Sequence, residues 1–203
     1  MFVLRFLYPC LGILLFAHVG VPQQSAQSSV PAYTPDGRLR FPADYREWVF
    51  LSSGLGMTYG PLAAANQPEH PTFDNVFVNP SAYAAFKRTG HWPDKSVFIL
   101  EVRHSQSQGS INQGGHFQRD TVALEAEVRD TSAKAGAWTF YDFPSAASAV
   151  SGKPLPRSAS CYSCHAKHGA VDNTFVQFYP VLYAVAQQKK TLNPSFQPLP
   201  SAQ

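Results

Sequence analysis

Cys161-Tyr162-Ser163-Cys164-His165 is the stretch whose residue types and spacing could do chemistry. Two thiols three residues apart, followed at once by an imidazole, form a c-type haem attachment motif. Each sulfur can form a thioether with one of the two haem vinyl groups, and the adjoining His165 can then reach the iron. A tethered haem cannot dissociate, so the rest of the chain is left to shape the opposite face of the metal. The competing chemistries fit less well. A thioredoxin-like redox pair sits in a βαβ context that this region lacks. A structural zinc site needs a second ligand pair, and the one remaining cysteine, Cys10, lies far away in an apolar N-terminal run.

The rest of the composition agrees with an exported haem protein. Within residues 1–26, Arg5 supplies a basic start, Phe6 to Ala17 an apolar stretch, and Gly20 to Ala26 small and polar residues at a cut. That is the layout of a secretory signal peptide, and Pro9 interrupts a run already short for a membrane span. Export removes Cys10 and leaves Cys161 and Cys164 for the haem. It also implies a periplasmic location, where bacterial c-type haem is attached. The whole chain has a formal charge of +3, too balanced and too scattered to suggest nucleic acid as a partner. At 203 residues it is long enough for one domain with a sizeable core.

The elements that must position the motif follow from the local patterns. Residues 27–40 are polar and turn-rich and read as a flexible lead-in, residues 41–190 as the haem domain, and residues 191–203 as a loose proline-rich tail. Pro42 suits a first helical turn, with Tyr45, Trp48 and Val49 on one face. Gly54 to Pro71 reads as a loop. Asn75 to Val78 reads as a strand, and Asn79-Pro80 to Gly90 as a helix with Ala82, Tyr83 and Phe86 inward. Val97 to Arg103 is a nearly continuous apolar strand that belongs in the sheet interior.

A long connection, Ser105 to Gly115, leads to Thr121 to Arg129, where the alternation is clean. Val122, Leu124, Ala126 and Val128 fall on one side, and Ala123, Glu125, Glu127 and Arg129 on the other. The bland reading puts the second set in water. Trp138 to Phe143 is another strand, and Ser145 to Ser160 a small-residue linker. Asp172 or Asn173 can cap a short helix carrying Phe175, Phe178 and Tyr179. Pro180 then restarts a helix with Val181, Leu182 and Val185 inward. The class is α+β: a mainly antiparallel sheet with a few short helices, the haem near its C-terminal end.

In this order of strands, CxxCH motif and Asp172 to Pro180, the chain resembles the cytochrome P-460 family, which includes the β-sheet cytochromes c′. The Phe41 to Trp48 opening, Val76-Phe77-Val78-Asn79-Pro80, the Pro93-Asp94 turn, and the motif with Phe178-Tyr179-Pro180 carry the resemblance. It implies a periplasmic homodimer with one covalently attached haem c per chain, five-coordinate at iron. By motif position Cys161 and Cys164 carry the thioethers, and His165 is the metal ligand. Members with a lysine cross-linked to the haem oxidise hydroxylamine, helped by a distal carboxylate, and members with an aromatic pocket bind nitric oxide or carbon monoxide. The resemblance thus implies an oxidoreductase acting on hydroxylamine or related small nitrogen species with a redox partner cytochrome. A gas-binding haem protein or a plain electron carrier is the alternative.

The residues leave the distal face open. Lys87 and Lys95 are the lysines nearest the interior strand, though both suit a solvated surface. Glu125 or Glu127 could handle protons. Phe77 and Phe98 could wall an apolar pocket, or serve only as core. Met57, in a glycine-flanked loop, could supply a sixth ligand and convert the site to electron transfer. His168 is too close to His165 to address the other haem face, and His70, His91, His104 and His116 read by default as surface histidines.

Overall fold

The computed structural model describes residues 30–59, 70–132, 137–143 and 150–198. The signal-peptide reading of 1–26 lies outside them. The architecture is α+β, built on one seven-stranded antiparallel sheet. Its strands are β1 (Leu39–Arg40), β2 (Val49–Leu55), β3 (Thr72–Val78), β4 (Val97–Gln106), β5 (Phe117–Arg129), β6 (Trp138–Phe143) and β7 (Ser151–Pro154). From one edge the order is β1-β7-β6-β5-β4-β3-β2, so β2 to β7 form a meander and β1 closes the far edge. Among the described residues three α-helices accompany it: α1 (Pro80–Thr89), α2 (Ser160–His168) and α3 (Pro180–Lys189).

Period-two alternation divides the sheet into two faces. Val97 and Ile99 of β4, Leu124, Ala126 and Val128 of β5, and Tyr141 and Phe143 of β6 point to one side. There Leu39, Tyr45 and Trp48 from the start of the domain cover them. Phe98, Trp138 and Phe140 point to the other side, where α1, α3 and the 170–179 segment pack. The second core is dense in aromatic contacts: Phe86 to Trp92 at 4.3 Å between centroids, and Trp92 to Phe98 edge-on at 4.6 Å. Full burial of one such ring contributes about 1.5–3 kcal/mol.

Several local expectations are corrected. Leu39 and Arg40, inside the stretch read as a lead-in, pair with Gly152 and Ser151 of β7, and Leu39 is fully buried. That same pairing gives the linker before the motif its strand. Gly54 and Leu55 extend β2 into what reads as loop. Val122 is exposed, because the first half of β5 projects beyond the core. Asp172 and Asn173 cap no helix: both have left-handed backbones, φ +48° and +62°, a conformation that short Asx side chains tolerate. They form a tight turn before a 3₁₀ turn at Val176–Phe178. In α3 the inward residues are Leu182 and Ala186, with Val181 exposed.

The described part of the tail is docked. Asn193 N–H donates to Ala170 O at 2.7 Å, and Leu192 and Phe196 pack on the core. Asn79 does precede α1, with Gly90 left-handed behind it at φ +79°. Its Oδ1 accepts from Val97 N–H, tying the helix start to β4.

Candidate functional site

The motif folds as α2, and helical spacing (i, i+3, i+4) puts Cys161, Cys164 and His165 on one face. Both thiols are free and half-buried. The helix ends at Gly169, where a Cβ would lie 2.5 Å from the backbone of Asn173. Glycine is therefore required for the 172–174 turn to close against the helix end. Three further ties hold that turn. Trp92 Nε1 donates to Thr174 Oγ1 at 2.9 Å, Trp138 Nε1 to Asp172 O at 2.7 Å, and Trp92 N–H to Asp172 Oδ2 at 2.9 Å.

The rigid turn aims one carbonyl at the motif. His165 Nδ1 is 3.0 Å from Asn173 O. A carbonyl only accepts, so the neutral ring carries its proton on Nδ1 and keeps a lone pair on Nε2. The rings of Phe140 and Phe175 enclose the imidazole at 4.6 and 4.3 Å between centroids. Burial lowers the His165 pKa to about 4, so the imidazole is neutral at physiological pH. The same Nδ1 lies 3.3 Å from Glu127 Oε2.

Cys164 borders a cleft of about 790 Å³, together with Met57, Tyr59, Asp74, Phe175 and Tyr179. That volume is in the range of small-molecule and cofactor sites. His165 does not border it. Its ring borders a smaller cavity of about 190 Å³ with Trp138, Arg157 and Tyr162, and Phe175 is the side chain common to the imidazole and the large cleft. One wall of the large cleft is polar: Tyr59 Oη donates to Asp74 Oδ2 at 3.0 Å. Burial raises the Asp74 carboxyl and pushes the Tyr59 phenol far up. Glu125 is raised by burial first, then by the charges of Asp142 and Asp74.

The solvated reading of the Glu125 and Glu127 face is therefore overturned. This side of β5 lies against the motif, and Glu127 is only 8% exposed. Burial raises its pKa to about 8. Among the described residues, Glu127 Oε2 has no hydrogen-bond partner.

The remaining candidates divide. Met57 lies in the cleft, admitted by Gly54, where a Cβ would be 2.3 Å from its sulfur. His168 is exposed and borders the cleft mouth. Phe77 belongs to the opposite face, against Tyr45 and Phe50, and Phe98 is buried among Trp92, Trp138 and Tyr179. Lys87 lies over Tyr83, and Lys95 pairs with Asp130 at 3.1 Å; neither borders the cleft, whereas Lys167 does. His91 faces Asp172 and His104 faces Asp120; His70 and His116 are exposed. Tyr59 and Asp74 are functional candidates that the sequence reading missed. Counting back by twos from Val78 would have put Asp74 on the site face.

The donor set suits a haem: two free sulfurs a turn apart, one of them bordering a cleft of cofactor size, and an imidazole whose engaged Nδ1 leaves Nε2 as its donor. The family comparison agrees. The Cytochrome P460 family model matches residues 42–176, well over half of the chain. The chain belongs to the cytochrome P460 family, and it is a haem protein of that kind. No curated protein matches it.

Proposed function

We propose that this is an exported c-type haem protein with oxidoreductase activity on hydroxylamine or related small nitrogen species. Cys161 and Cys164 would hold the haem covalently, near the C-terminal end of the fold, and His165 would bind its iron through Nε2. The observation that carries this reading is the setting of His165: enclosed by Phe140 and Phe175, neutral, and with Nδ1 turned to the Asn173 carbonyl. Metal-binding imidazoles are commonly held in this way.

When bound, the haem supplies a redox-active iron with a coordination site open to a small ligand. The chain supplies the surroundings. Phe175 and Tyr179 supply aromatic walls to the cleft, and Tyr59 and Asp74 form a hydrogen-bonded pair on its wall. A carboxyl in a cleft can give and take a proton, and burial raises both Asp74 and Glu125 above the ordinary carboxyl value. That polar wall favours proton-coupled oxidation over simple gas binding. Electrons pass to a partner cytochrome. The reading includes a periplasmic homodimer, supported by the signal-like start and the family resemblance. Met57 in the cleft favours a second reading, a six-coordinate electron carrier with the thioether as sixth ligand.

The test is expression in an exporting host with working haem-ligation machinery. The mature chain is expected to gain the mass of one haem, and Cys161→Ala and Cys164→Ala each to lose a thioether. A five-coordinate spectrum with hydroxylamine turnover supports the first reading, and Asp74→Asn should then lower kcat about 100-fold with the spectrum unchanged. A low-spin six-coordinate spectrum that Met57→Ala abolishes supports the second. Rapid nitric oxide binding without turnover would leave a gas-binding protein.

A further inference from the structure

His165 faces two acceptors. The Asn173 carbonyl, at 3.0 Å, satisfies Nδ1 and explains the turn that carries it. The Glu127 carboxyl, at 3.3 Å from the same nitrogen, is not needed for that. Nor does the sheet need it: the cross-strand neighbours of Glu127 are Phe98 on β4 and Phe140 on β6, and both are buried. Arg129, two residues along the same face, is turned to Asp172 at 3.3 Å. A carboxyl placed between two aromatic side chains, with one oxygen lacking a hydrogen bond, is costly to bury. Such a group calls for a reason beyond packing, and the polar group the structure sets beside it is the imidazole.

We infer that Glu127 is a positioning residue of this site: Nδ1 donates to the Asn173 carbonyl, and the Glu127 carboxyl set 3.3 Å from the same nitrogen becomes a second acceptor once His165 holds a metal through Nε2, setting the orientation and donor strength of Nε2. The inference rests on the proposal that His165 is the axial ligand. The physical ground is general: a carboxylate behind a metal-binding imidazole fixes its tautomer and increases its basicity. A more basic Nε2 stabilises ferric over ferrous iron, so Glu127 lowers the reduction potential. Its position on β5, which is paired on both sides within the sheet, fixes the backbone from which the carboxyl reaches the imidazole.

The test uses the haem-loaded protein, comparing wild type with Glu127→Gln and Glu127→Asp. The Gln variant is expected to keep its haem mass and Soret absorbance. Its ferric–ferrous equilibrium should shift about tenfold toward ferrous, a rise of about 59 mV for one electron. Its ferrous iron–imidazole stretching frequency, read by resonance Raman, should fall, and the Asp variant should lie between Gln and wild type. Unchanged potential and frequency in a haem-loaded Gln variant would overturn the inference while leaving the haem assignment intact. If the Gln variant does not fold, the wild type decides. A stretching frequency typical of an imidazole bonded to a backbone carbonyl alone overturns the inference, and one raised above that supports it. A colourless wild type of bare polypeptide mass overturns the haem assignment, and this inference with it.

Discussion

Two buried glutamates on neighbouring strands, facing opposite sides of the sheet, have received opposite treatment. Glu101 on β4 is 2% exposed and Glu127 on β5 is 8% exposed. Glu101 accepts from Tyr45 Oη at 2.7 Å, Arg103 Nη1 at 2.9 Å, Arg46, Thr121 and Asn75 Nδ2. Burial alone would raise its pKa, but the hydrogen bonds from Tyr45 and Arg46 outweigh it and hold the carboxyl below its ordinary value. Glu127 has an imidazole beside one oxygen and aromatic rings across the strands, and its pKa moves the other way. A satisfied buried carboxylate fastens a fold, while an unsatisfied one marks a place where packing has yielded to chemistry.

The largest expected effect breaks this contrast at its structural end. Glu101→Ala strands the partners of a buried ion pair, a loss of about 3–5 kcal/mol. Arg46 is more than half exposed, so the lower figure is expected in urea denaturation followed by tryptophan fluorescence. A loss under about 1 kcal/mol would contradict the fastening role. Tyr45→Phe removes one hydrogen bond to a charged group and should cost about 1.5–2 kcal/mol in the same assay. Glu127→Leu is expected to cost nothing, or to stabilise by about 1 kcal/mol, because it removes a desolvated polar atom. A loss matching that at Glu101 would erase the distinction between the two faces.

The smallest effects are in pH dependence, and their signs differ between the two sides. Glu101 is lowered in the fold, so its contribution is present above the ordinary carboxyl pKa and is lost as pH falls through the folded value. Asp74 and Glu125 are raised, so the folded state favours their protonated forms. Their contribution is present below the ordinary carboxyl pKa and is lost as pH rises through the folded value. Melting temperature against pH should therefore lose part of its acid limb in Glu101→Gln. In Asp74→Asn it should instead lose part of its decline toward neutrality.

The same two faces separate what could be read in the chain from what could not. The interior strand at Val97 to Arg103, the strand at Trp138 to Phe143 and the alternation through Leu124, Ala126 and Val128 are local signals, and the sheet follows them. Alternation says that the two sides of β5 differ, but not that the polar side meets water. A cleft walled by carboxyls produces the same pattern as a solvated face, so Glu125 and Glu127 were misassigned. Leu39–Arg40 and Ser151–Pro154 are too short to carry a period and exist through pairing with distant strands. Asp172 and Asn173 have side chains suited to helix caps and to left-handed turns alike, and only the packing of Trp92 and Trp138 selects the turn. The cysteine–histidine spacing was legible because reaction geometry, rather than packing, dictates it.

The docked tail has a consequence for proteolysis. Asn193 ties it to the turn after α2, Thr191 crosses so close to Gly90 that a Cβ there would lie 2.7 Å from its hydroxyl, and Ser195, Phe196 and Gln197 border the large cleft. A tryptic cut after Lys190 would thus remove part of the rim along with the chain end. In the intact protein the cleft is therefore bordered by both the earliest strands of the meander and the final described residues, and trimming the carboxyl end would widen its entrance.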